Sequence, residues 1–284
     1  MLKDIKISFI GPGVMAEAML AGIIRKKLTD PANILISGPI IDRNKELEDK
    51  YGVQPFTENK KAAALADIVI LSVKPQRLEK VLEGLQGSIK KNSLVLSIIA
   101  GASINKISRL LKHDKVVRSM PNTPAQIGEG ITVWCSSSEV DETQKNITQE
   151  ILGAFGQEIF VEEEEYLDKA TALSGTGPAY VYLFMEAMVD AGVHLGFSRR
   201  IAEKLVTETL RGSVDYYDKN GLESRHLASM RNQVTSPGGT SAEAIYYLEK
   251  AGFRTAISRA VWAAYQRSRE LGQDADTHPP ESNI

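Results

Sequence analysis

The pattern of hydrophobic positions divides the chain into an α/β half and a helical half. Short apolar or β-branched runs alternate with stretches of helical spacing, as expected for a parallel sheet joined by crossover helices. The runs cover residues 7–10, 33–37, 68–73, 94–99, 116–120, 131–134 and 158–161. We therefore predict an α/β fold with a sheet of about eight strands.

Only helical spacing follows residue 162. The change predicts a first domain of residues 1–162 and an all-α second domain of residues 163–284. The four glutamates Glu162 to Glu165 mark this boundary, and we interpret them as the solvated start of a helix. Residues 274–284, which contain two adjacent prolines, are expected to be a disordered tail.

The predicted helix at residues 178–195 is apolar on nearly every side. A small helical domain cannot cover such a helix alone, so we predict that a second subunit covers it. The polar residues of the helix are Glu186, Asp190 and His194, spaced by four. Metal ligands can have this spacing, but we interpret the three as a structural stripe and predict no metal site.

A glycine turn follows the first strand of the pattern. Gly11, Gly13 and Ala16 have the spacing G-x-G-x-x-A, and helical spacing begins at Val14. Gly11 allows a tight turn, Gly13 lets a pyrophosphate approach the backbone, and Ala16 allows close packing. This arrangement predicts a Rossmann-type dinucleotide-binding domain, with an ordinary βα turn as the alternative.

The end of the second strand bears on the choice of cofactor. A dinucleotide-binding fold reads the adenosine ribose there, and an acidic residue would favour NAD. This strand ends in Ser37 and Gly38, and Arg43 follows, so a hydroxyl, backbone amides and a guanidinium are available for a 2′-phosphate. Asp42 is an acidic residue nearby and would favour NAD instead. We predict NADPH, with NADH as the alternative.

The loops after the third and fourth apolar runs should line the cofactor crevice. Residues 73–76 are expected beside the adenosine and ribose, although Lys74 could equally be a solvated lysine. Ala100 and Gly101 are small enough to let a nicotinamide ring lie against the backbone.

Two glycine-proline segments interrupt the helical half, at residues 173–180 and 234–241. Each places hydroxyls and backbone N–H groups where a helix should begin, as in an anion site. Simple capping by serine and threonine is the alternative. The presence of both segments favours a small substrate that carries a carboxylate.

Composition narrows the classes of partner and compartment. A formal net charge of −2 with scattered basic pairs argues against nucleic acid as a partner. Cys135 is the single cysteine, and neither a leader nor a long apolar span is evident, so we expect a cytoplasmic protein with no membrane partner.

Taken in order, these motifs resemble those of the pyrroline-5-carboxylate reductases. The matching segments are residues 11–16, 72–76, 120–124, 173–180 and 235–239. The resemblance implies an N-terminal Rossmann-type domain followed by an all-α dimerisation domain that intertwines with a second subunit, with dimers that can gather into a decamer. It also implies reduction of 1-pyrroline-5-carboxylate to L-proline by NADPH or NADH, the last step of proline biosynthesis.

The resemblance also implies a set of site residues. The cofactor-binding set is Ile10, Gly11, Gly13, Val14, Met15, Ser37, Asn59, Val73, Lys74, Pro75, Gln76, Ala100 and Gly101. The substrate-binding set is Ser236, Gly238, Gly239, Thr240 and Ser241, of which Thr240 and Ser241 are the catalytic candidates. We expect backbone amides of residues 236–240 to hold the substrate carboxylate and the Ser241 hydroxyl to meet the ring nitrogen. The ring would lie at an edge formed by residues 100–101 and 122–123.

This chain departs from the family pattern in two places. After Pro-Gly-Gly the family usually has two hydroxyl residues, or a small residue and then a hydroxyl residue, and most often two threonines. This chain has Thr240 and Ser241, which keeps the hydroxyl but loses a methyl group. The family's glutamate-containing stretch is poorly matched at residues 221–226, so no role is carried over to Glu223.

Two rival functions remain. A 3-hydroxyacid dehydrogenase would need a base near the glycine segments, and Lys169 is the lysine nearest to them in sequence. A non-catalytic NADP-binding sensor would keep the Rossmann half and would have no use for a substrate loop.

Overall fold

The computed structural model describes residues 2–220 and 226–273, which form two compact units. Unit 1 is drawn from Met1–Pro178 and Ala263–Ile284, and unit 2 is Ala179–Trp262. The expected tail at 274–284 and the residue Glu223 lie outside the described residues.

Within the described residues, an eight-stranded sheet forms the centre of unit 1. Its strands are β1 (Ile7–Ile10), β2 (Ile34–Ser37), β3 (Gln54–Phe56), β4 (Ile68–Leu71), β5 (Leu94–Ser97), β6 (Val116–Met120), β7 (Gly130–Ser136) and β8 (Gly156–Phe160). The strand order is β3-β2-β1-β4-β5-β6-β7-β8, and neighbours are parallel except for the antiparallel pair β6 and β7. The order of the first six strands is that of a doubly wound dinucleotide-binding sheet, which confirms the predicted fold class.

Helices cover both faces of this sheet. In unit 1 they are α1 (Val14–Arg25), α2 (Ile41–Tyr51), α3 (Asn59–Leu65), α4 (Leu78–Leu85), α5 (Ile104–Leu111), α6 (Glu142–Leu152) and α7 (Glu165–Ala170). One buried core joins α1, α2 and α6 to the face that carries Phe9, and a second joins α3, α4 and α5 to the face that carries Ile10. The strands at the centre are therefore buried on both sides, as their continuous apolar runs predicted.

The carboxyl ends of the central strands meet at one edge of the sheet. Ile10 is in register with Ser37 of β2 and with Leu71 of β4, and Leu71 is in register with Ser97 of β5. The loops after these strands thus emerge side by side, which is where a doubly wound sheet binds its ligand.

The regular secondary structure of unit 2 consists of helices in its described residues. It contains most of α8 (Gly177–His194), α9 (Arg199–Asn220), α10 (Leu227–Gln233), α11 (Thr240–Lys250) and the first half of α12 (Phe253–Gln273). Its buried apolar cluster, in the part described, is limited to Val189, Ala202 and Val206. Tyr182 and Leu183 of α8 are 61% and 67% exposed. One chain therefore leaves much of the apolar surface of α8 uncovered.

The interpretation of Glu162 to Glu165 as a solvated helix start is wrong for Glu164. Its Oε1 atom accepts a hydrogen bond of 2.9 Å from the amide of Ile104 and another of 2.9 Å from Arg118. The Arg118 side chain is only 6% exposed. Since an unpaired buried cation is costly, Glu164 compensates the charge of Arg118 instead of merely facing water.

The prediction of vacant donors at residues 173–180 is wrong for Thr176. A π-helical stretch, Thr171–Gly175, joins α7 to α8. The amide and the hydroxyl of Thr176 both donate to the carbonyl of Thr171, each at 2.8 Å. These donors are therefore used within the chain and are not directed at an anion.

Candidate functional site

The glycine turn at the end of β1 is fixed by its neighbours. Gly11 has a φ of +94°, and a Cβ atom built on it would lie 2.7 Å from Cγ1 of Val73. Its amide donates to the carbonyl of Ser37 at 2.8 Å, and its carbonyl accepts from the hydroxyl of Ser72 at 2.9 Å. Both backbone conformation and space therefore require glycine at this position.

The space in front of α1 is open. Gly13 is the N-cap of the helix and is exposed, and a Cβ atom built on it would meet only the carbonyl oxygen of Gly11, at 4.0 Å. Three amides of the first turn make no hydrogen bond to the described residues, namely those of Val14, Met15 and Ala16. Unpaired amides at the positive end of a helix dipole, behind a residue without a side chain, fit the pyrophosphate of a dinucleotide.

The end of β2 packs against the glycine turn. A Cβ atom on Gly38 would lie 2.6 Å from Cδ of Pro12, and the Gly38 carbonyl accepts from the buried amide of Asn44 at 3.0 Å. The Ser37 side chain is fully buried, and its hydroxyl donates to Oδ1 of Asn59 at 2.7 Å. The groups at this strand end are therefore backbone atoms and the Asn59 amide. Ser37 and Gly38 stand where an acidic side chain would favour NAD.

Arg43 lies close to the same turn but is paired. Its Nε atom donates to the carbonyl of Pro12 at 3.3 Å, and its guanidinium forms ion pairs with Glu17 and Glu46. Partial burial by itself raises the pKa of Glu17, but hydrogen bonds from Lys50, Arg43 and Tyr51 outweigh it and lower the pKa to about 2. Glu17 is thus a carboxylate at neutral pH that holds Arg43 beside the glycine turn.

The remaining cofactor candidates are spread over the same sheet edge. Ile10 has a fully buried side chain in the core of α3, α4 and α5, so only its backbone can face a ligand. Lys74 and Gln76 are exposed directly after β4, whereas Gly101 is buried after β5 and has a φ of +74°. These residues all lie in unit 1.

Asn122 is predicted to lie near the nicotinamide, and in the structure its side chain links two other segments by hydrogen bonds. Its side-chain nitrogen donates to the carbonyl of Ser174 at 3.2 Å, and its Oδ1 atom accepts from the amide of Ile131 at 3.0 Å. The side chain is therefore occupied in joining the loop after β6 to the π-helical stretch.

A buried ion network beneath this edge was not predicted from the sequence. Arg118 of β6 donates to Glu164 and to Asp168, each at 2.9 Å, and Ser268 of α12 donates to the same Asp168 oxygen at 2.9 Å. A charged residue inside an apolar strand was the available signal, since a buried cation needs partners.

The substrate candidates lie on the loop before α11 in unit 2. Gly238 has a φ of +69°, and a Cβ atom on Gly239 would lie 2.5 Å from the hydroxyl oxygen of Ser236. The helix begins at Thr240, two residues earlier than predicted. Its N-cap is Gly239, so no side chain of the N-cap residue accepts a hydrogen bond from the first-turn amides. The amides of Thr240 and Ser241 make no hydrogen bond to the described residues. The loop thus offers the vacant amides expected of a carboxylate site.

Other chemistries find no support in the described parts of the chain. No group of three histidine, cysteine or acidic residues there could hold a metal ion, and Asp190 is paired with Arg199 at 2.8 Å. Burial first, and then the charge of Glu164, raise the pKa of the Cys135 thiol to about 12, so this cysteine is a protonated core residue. None of the described helices combines the length and apolarity that a bilayer span demands.

Two family models match this chain. One is described as pyrroline-5-carboxylate reductase dimerisation and covers residues 164–271. The other is described as NADP oxidoreductase, coenzyme F420-dependent, and covers residues 6–101. The two matches fall on the helical half and on the dinucleotide-binding half.

Individual proteins match nearly the whole chain. The pyrroline-5-carboxylate reductase of Synechocystis sp. is 40% identical over 270 residues, which span 95% of this chain and 99% of that protein. The enzyme of Arabidopsis thaliana is 35% identical over 271 residues, spanning 95% and 97%. The crystal structure of Plasmodium falciparum pyrroline carboxylate reductase with NADP bound has a TM-score of 0.87 and 33% identity, and the match covers 96% of this chain and all of that one.

Proposed function

Because the chain belongs to the pyrroline-5-carboxylate reductase family, we propose specific roles for its residues in the reduction of 1-pyrroline-5-carboxylate to L-proline. The chain is an NAD(P)H-dependent oxidoreductase that acts on a C=N bond, in the last step of proline biosynthesis. The single observation that carries the residue roles is the pair of open, glycine-lined helix starts, at α1 in unit 1 and at α11 in unit 2.

The α1 start holds the cofactor. The amides of Val14 and Met15, in front of the bare Gly13, bind the pyrophosphate, and Gly11 keeps the turn tight. Asn59 meets the adenosine ribose beside Ser37. Residues 73–76 line the adenosine side, and Ala100 and Gly101 form a platform for the nicotinamide ring. When bound, the reduced cofactor supplies the hydride that is added to the imine carbon.

The α11 start holds the substrate. The vacant amides of Thr240 and Ser241, with the loop of Ser236, Gly238 and Gly239, bind its carboxylate. The hydroxyl of Ser241 hydrogen-bonds the ring nitrogen, and Thr240 supports the loop. As the imine becomes an amine, its nitrogen becomes more basic and carries one proton. A hydroxyl at that atom stabilises the transition state by a hydrogen bond.

The cofactor preference is for NADPH, with NADH as the weaker alternative. The absence of an acidic residue at the end of β2 and the nearby Arg43 support this preference. The F420-dependent NADP oxidoreductase match at residues 6–101 and the NADP bound to the Plasmodium relative point the same way.

The assembly is a homo-oligomer built on the helical half. We infer an intertwined dimer, because the apolar surface of α8 is uncovered in one chain, and dimers could associate further into a decamer. The division at residues 1–162 and 163–284 and the cytoplasmic location stay predictions. The single cysteine, which is a free buried thiol, is compatible with a reducing compartment.

One assay separates this function from its rivals. Purified protein is mixed with NADPH and 1-pyrroline-5-carboxylate, and the loss of reduced nicotinamide absorbance is followed together with proline formation. A 3-hydroxyacid dehydrogenase would instead reduce NADP⁺ with a 3-hydroxy acid, and a sensor would do neither. Lys169, the base that the dehydrogenase would need, is 45% exposed and paired with Glu165 at 3.3 Å, which favours the reductase.

A further inference from the structure

The end of α12 touches the loop between β5 and α5. A Cβ atom built on Gly101 would lie 3.0 Å from the amide nitrogen of Gly272, and one built on Gly272 would lie 3.0 Å from the carbonyl oxygen of Gly101. Both glycines belong to unit 1. The two backbones are therefore in direct contact, and neither position has room for a side chain unless its neighbour moves.

Hydrogen bonds hold the same part of α12 in place. Ser268 donates to Oδ1 of Asp168 at 2.9 Å, and Tyr265 donates to Oε1 of Glu165 at 2.9 Å. Asp168 is in turn bound by Arg118, whose side chain is 6% exposed. The helix end is thus tied through α7 to β6, the strand next to β5.

The far end of the loop is held by the same network. The amide of Ile104, the first residue of α5, donates to Glu164 at 2.9 Å, and Glu164 is the second partner of Arg118. The segment 98–103 is therefore contacted at Gly101 by Gly272, and the residue that follows it, Ile104, is bound by Glu164; both partners come after residue 163 in the chain. A short segment that is held at two points keeps a defined backbone position.

We propose that residues 263–273 of α12 position the nicotinamide platform, with Gly272 as the positioning residue at Gly101 and Ser268 as its anchor. The inference rests on the proposed function, in which Ala100 and Gly101 face the nicotinamide. Gly272 touches neither substrate nor cofactor and acts only through the backbone of Gly101. The adenosine end, at Ser37 and Asn59, lies on other strands and does not depend on this contact.

The test is Gly272→Ala, which must push the Gly101 carbonyl away by a few tenths of an ångström. We expect kcat/KM for NADPH to fall by about 10- to 100-fold, because small displacements of reacting groups cost this much. By calorimetry, the variant should bind 2′,5′-ADP, which lacks the nicotinamide half, with unchanged affinity and should bind NADP⁺ less tightly. Ser268→Ala should shift the same quantities in the same direction, to a smaller extent.

The matched control is Gly84→Ala in α4, where an added Cβ meets nothing within 4 Å. It should leave kcat/KM and both affinities unchanged. An equal loss of 2′,5′-ADP and NADP⁺ affinity in Gly272→Ala would show a merely structural role and overturn the proposal. Unchanged kcat/KM for NADPH in Gly272→Ala would also overturn the proposal. If Gly272→Ala does not fold, Ser268→Ala decides by the same criteria. Failure of the proposed function would appear separately, as an unmodified protein without reductase activity.

Discussion

Ser37, the last residue of β2, donates a hydrogen bond of 2.7 Å to the Oδ1 atom of Asn59, the first residue of α3. The bond uses the oxygen of the Asn59 amide and leaves its nitrogen as a donor, for which no described residue is an acceptor. A donor thus stands beside the strand end where a doubly wound sheet reads the ribose.

Asn59→Asp tests this assignment. The carboxylate can still accept from Ser37, but it replaces the free donor by a negative charge that would repel a 2′-phosphate. We expect the ratio of kcat/KM for NADPH over NADH to fall by about 10-fold, roughly one lost charge-assisted contact. Asn33→Asp, whose amide binds the Lys3 carbonyl away from the turn, is the control. An unchanged ratio would remove Asn59 from the ribose site.

Arg43 gives a second test of cofactor preference. Its Nε bond to the Pro12 carbonyl fixes the guanidinium near the glycine turn. Arg43→Ala should lower kcat/KM for NADPH by about 10- to 100-fold, the loss expected of one charge-assisted phosphate contact, and change that for NADH little. Steady-state kinetics with both cofactors measure this. Equal losses with the two would assign Arg43 a structural role, and better use of NADH by the unmodified enzyme would contradict the preference itself.

Glu17 predicts a specific acid sensitivity. Folding lowers its pKa from 4.5 to about 2 through Lys50, Arg43 and Tyr51, so the ionised carboxylate stabilises the fold above pH 4.5 and this contribution is lost as the pH falls through about 2. Glu17→Gln should therefore have a lower free energy of unfolding than the unmodified protein at neutral pH. This difference should shrink between pH 4.5 and 2. Urea unfolding across this range measures the effect.

Glu46→Gln is the control for Glu17, because Glu46 contacts Arg43 from a side chain that is 57% exposed. Its deficit should be small at every pH, since exposed ion pairs contribute little. A deficit of Glu17→Gln that stays constant down to pH 2 would mean that its ionisation is not linked to folding.

Local patterns made much of unit 1 predictable. The apolar run at residues 7–10, the glycine at position 11 and the helical spacing from Val14 all lie within one short segment. Strands β2, β4 and β5 are likewise short, fully buried and largely apolar runs. The exception is β3, whose three residues include Pro55 and lie at the exposed sheet edge. Such a strand carries neither an apolar run nor a clear alternation.

Long-range pairing could not be predicted in the same way. Arg118 within an apolar strand signals that some partner exists, but Glu164 and Asp168 follow 46 and 50 residues later. Only the fold brings them together. The same holds for Gly101 and Gly272, whose contact depends on the return of α12 to unit 1. Helix α11 begins two residues before the predicted start. Its N-cap is Gly239, which lacks the side-chain oxygen that usually marks a helix start in a sequence.

The exposed apolar surface of α8 predicts the behaviour of the assembly. Leu183→Glu places a charge on a side chain that is 67% exposed in one chain, and it should weaken self-association by about 30-fold or more if that surface is the centre of the interface. Sedimentation velocity over a concentration series measures this. The same change at Leu65, 44% exposed in α3, should leave the assembly intact. A fully active monomer would exclude the intertwined dimer.

The last prediction concerns Ser241, the second residue of α11, where this chain has a serine in place of the family's usual threonine. Its hydroxyl can donate to the imine nitrogen, and that contact strengthens as the nitrogen becomes a more basic amine. Ser241→Ala should therefore lower kcat by about 10- to 1000-fold, the range for one positioned hydrogen bond or proton donor. The KM for NADPH should change little, because the proposed cofactor site uses other residues.

Two measurements on the same variant separate catalysis from stability. Since Gly239 is the N-cap of α11 and no side chain caps it, Ser241→Ala should leave the melting temperature close to that of the parent. Ser241→Thr keeps the hydroxyl and should restore kcat almost fully. A variant that loses melting temperature and keeps its kcat would show that the serine serves only the helix, because a lost cap costs about 1 kcal/mol of stability and no turnover. The ring nitrogen would then need another donor.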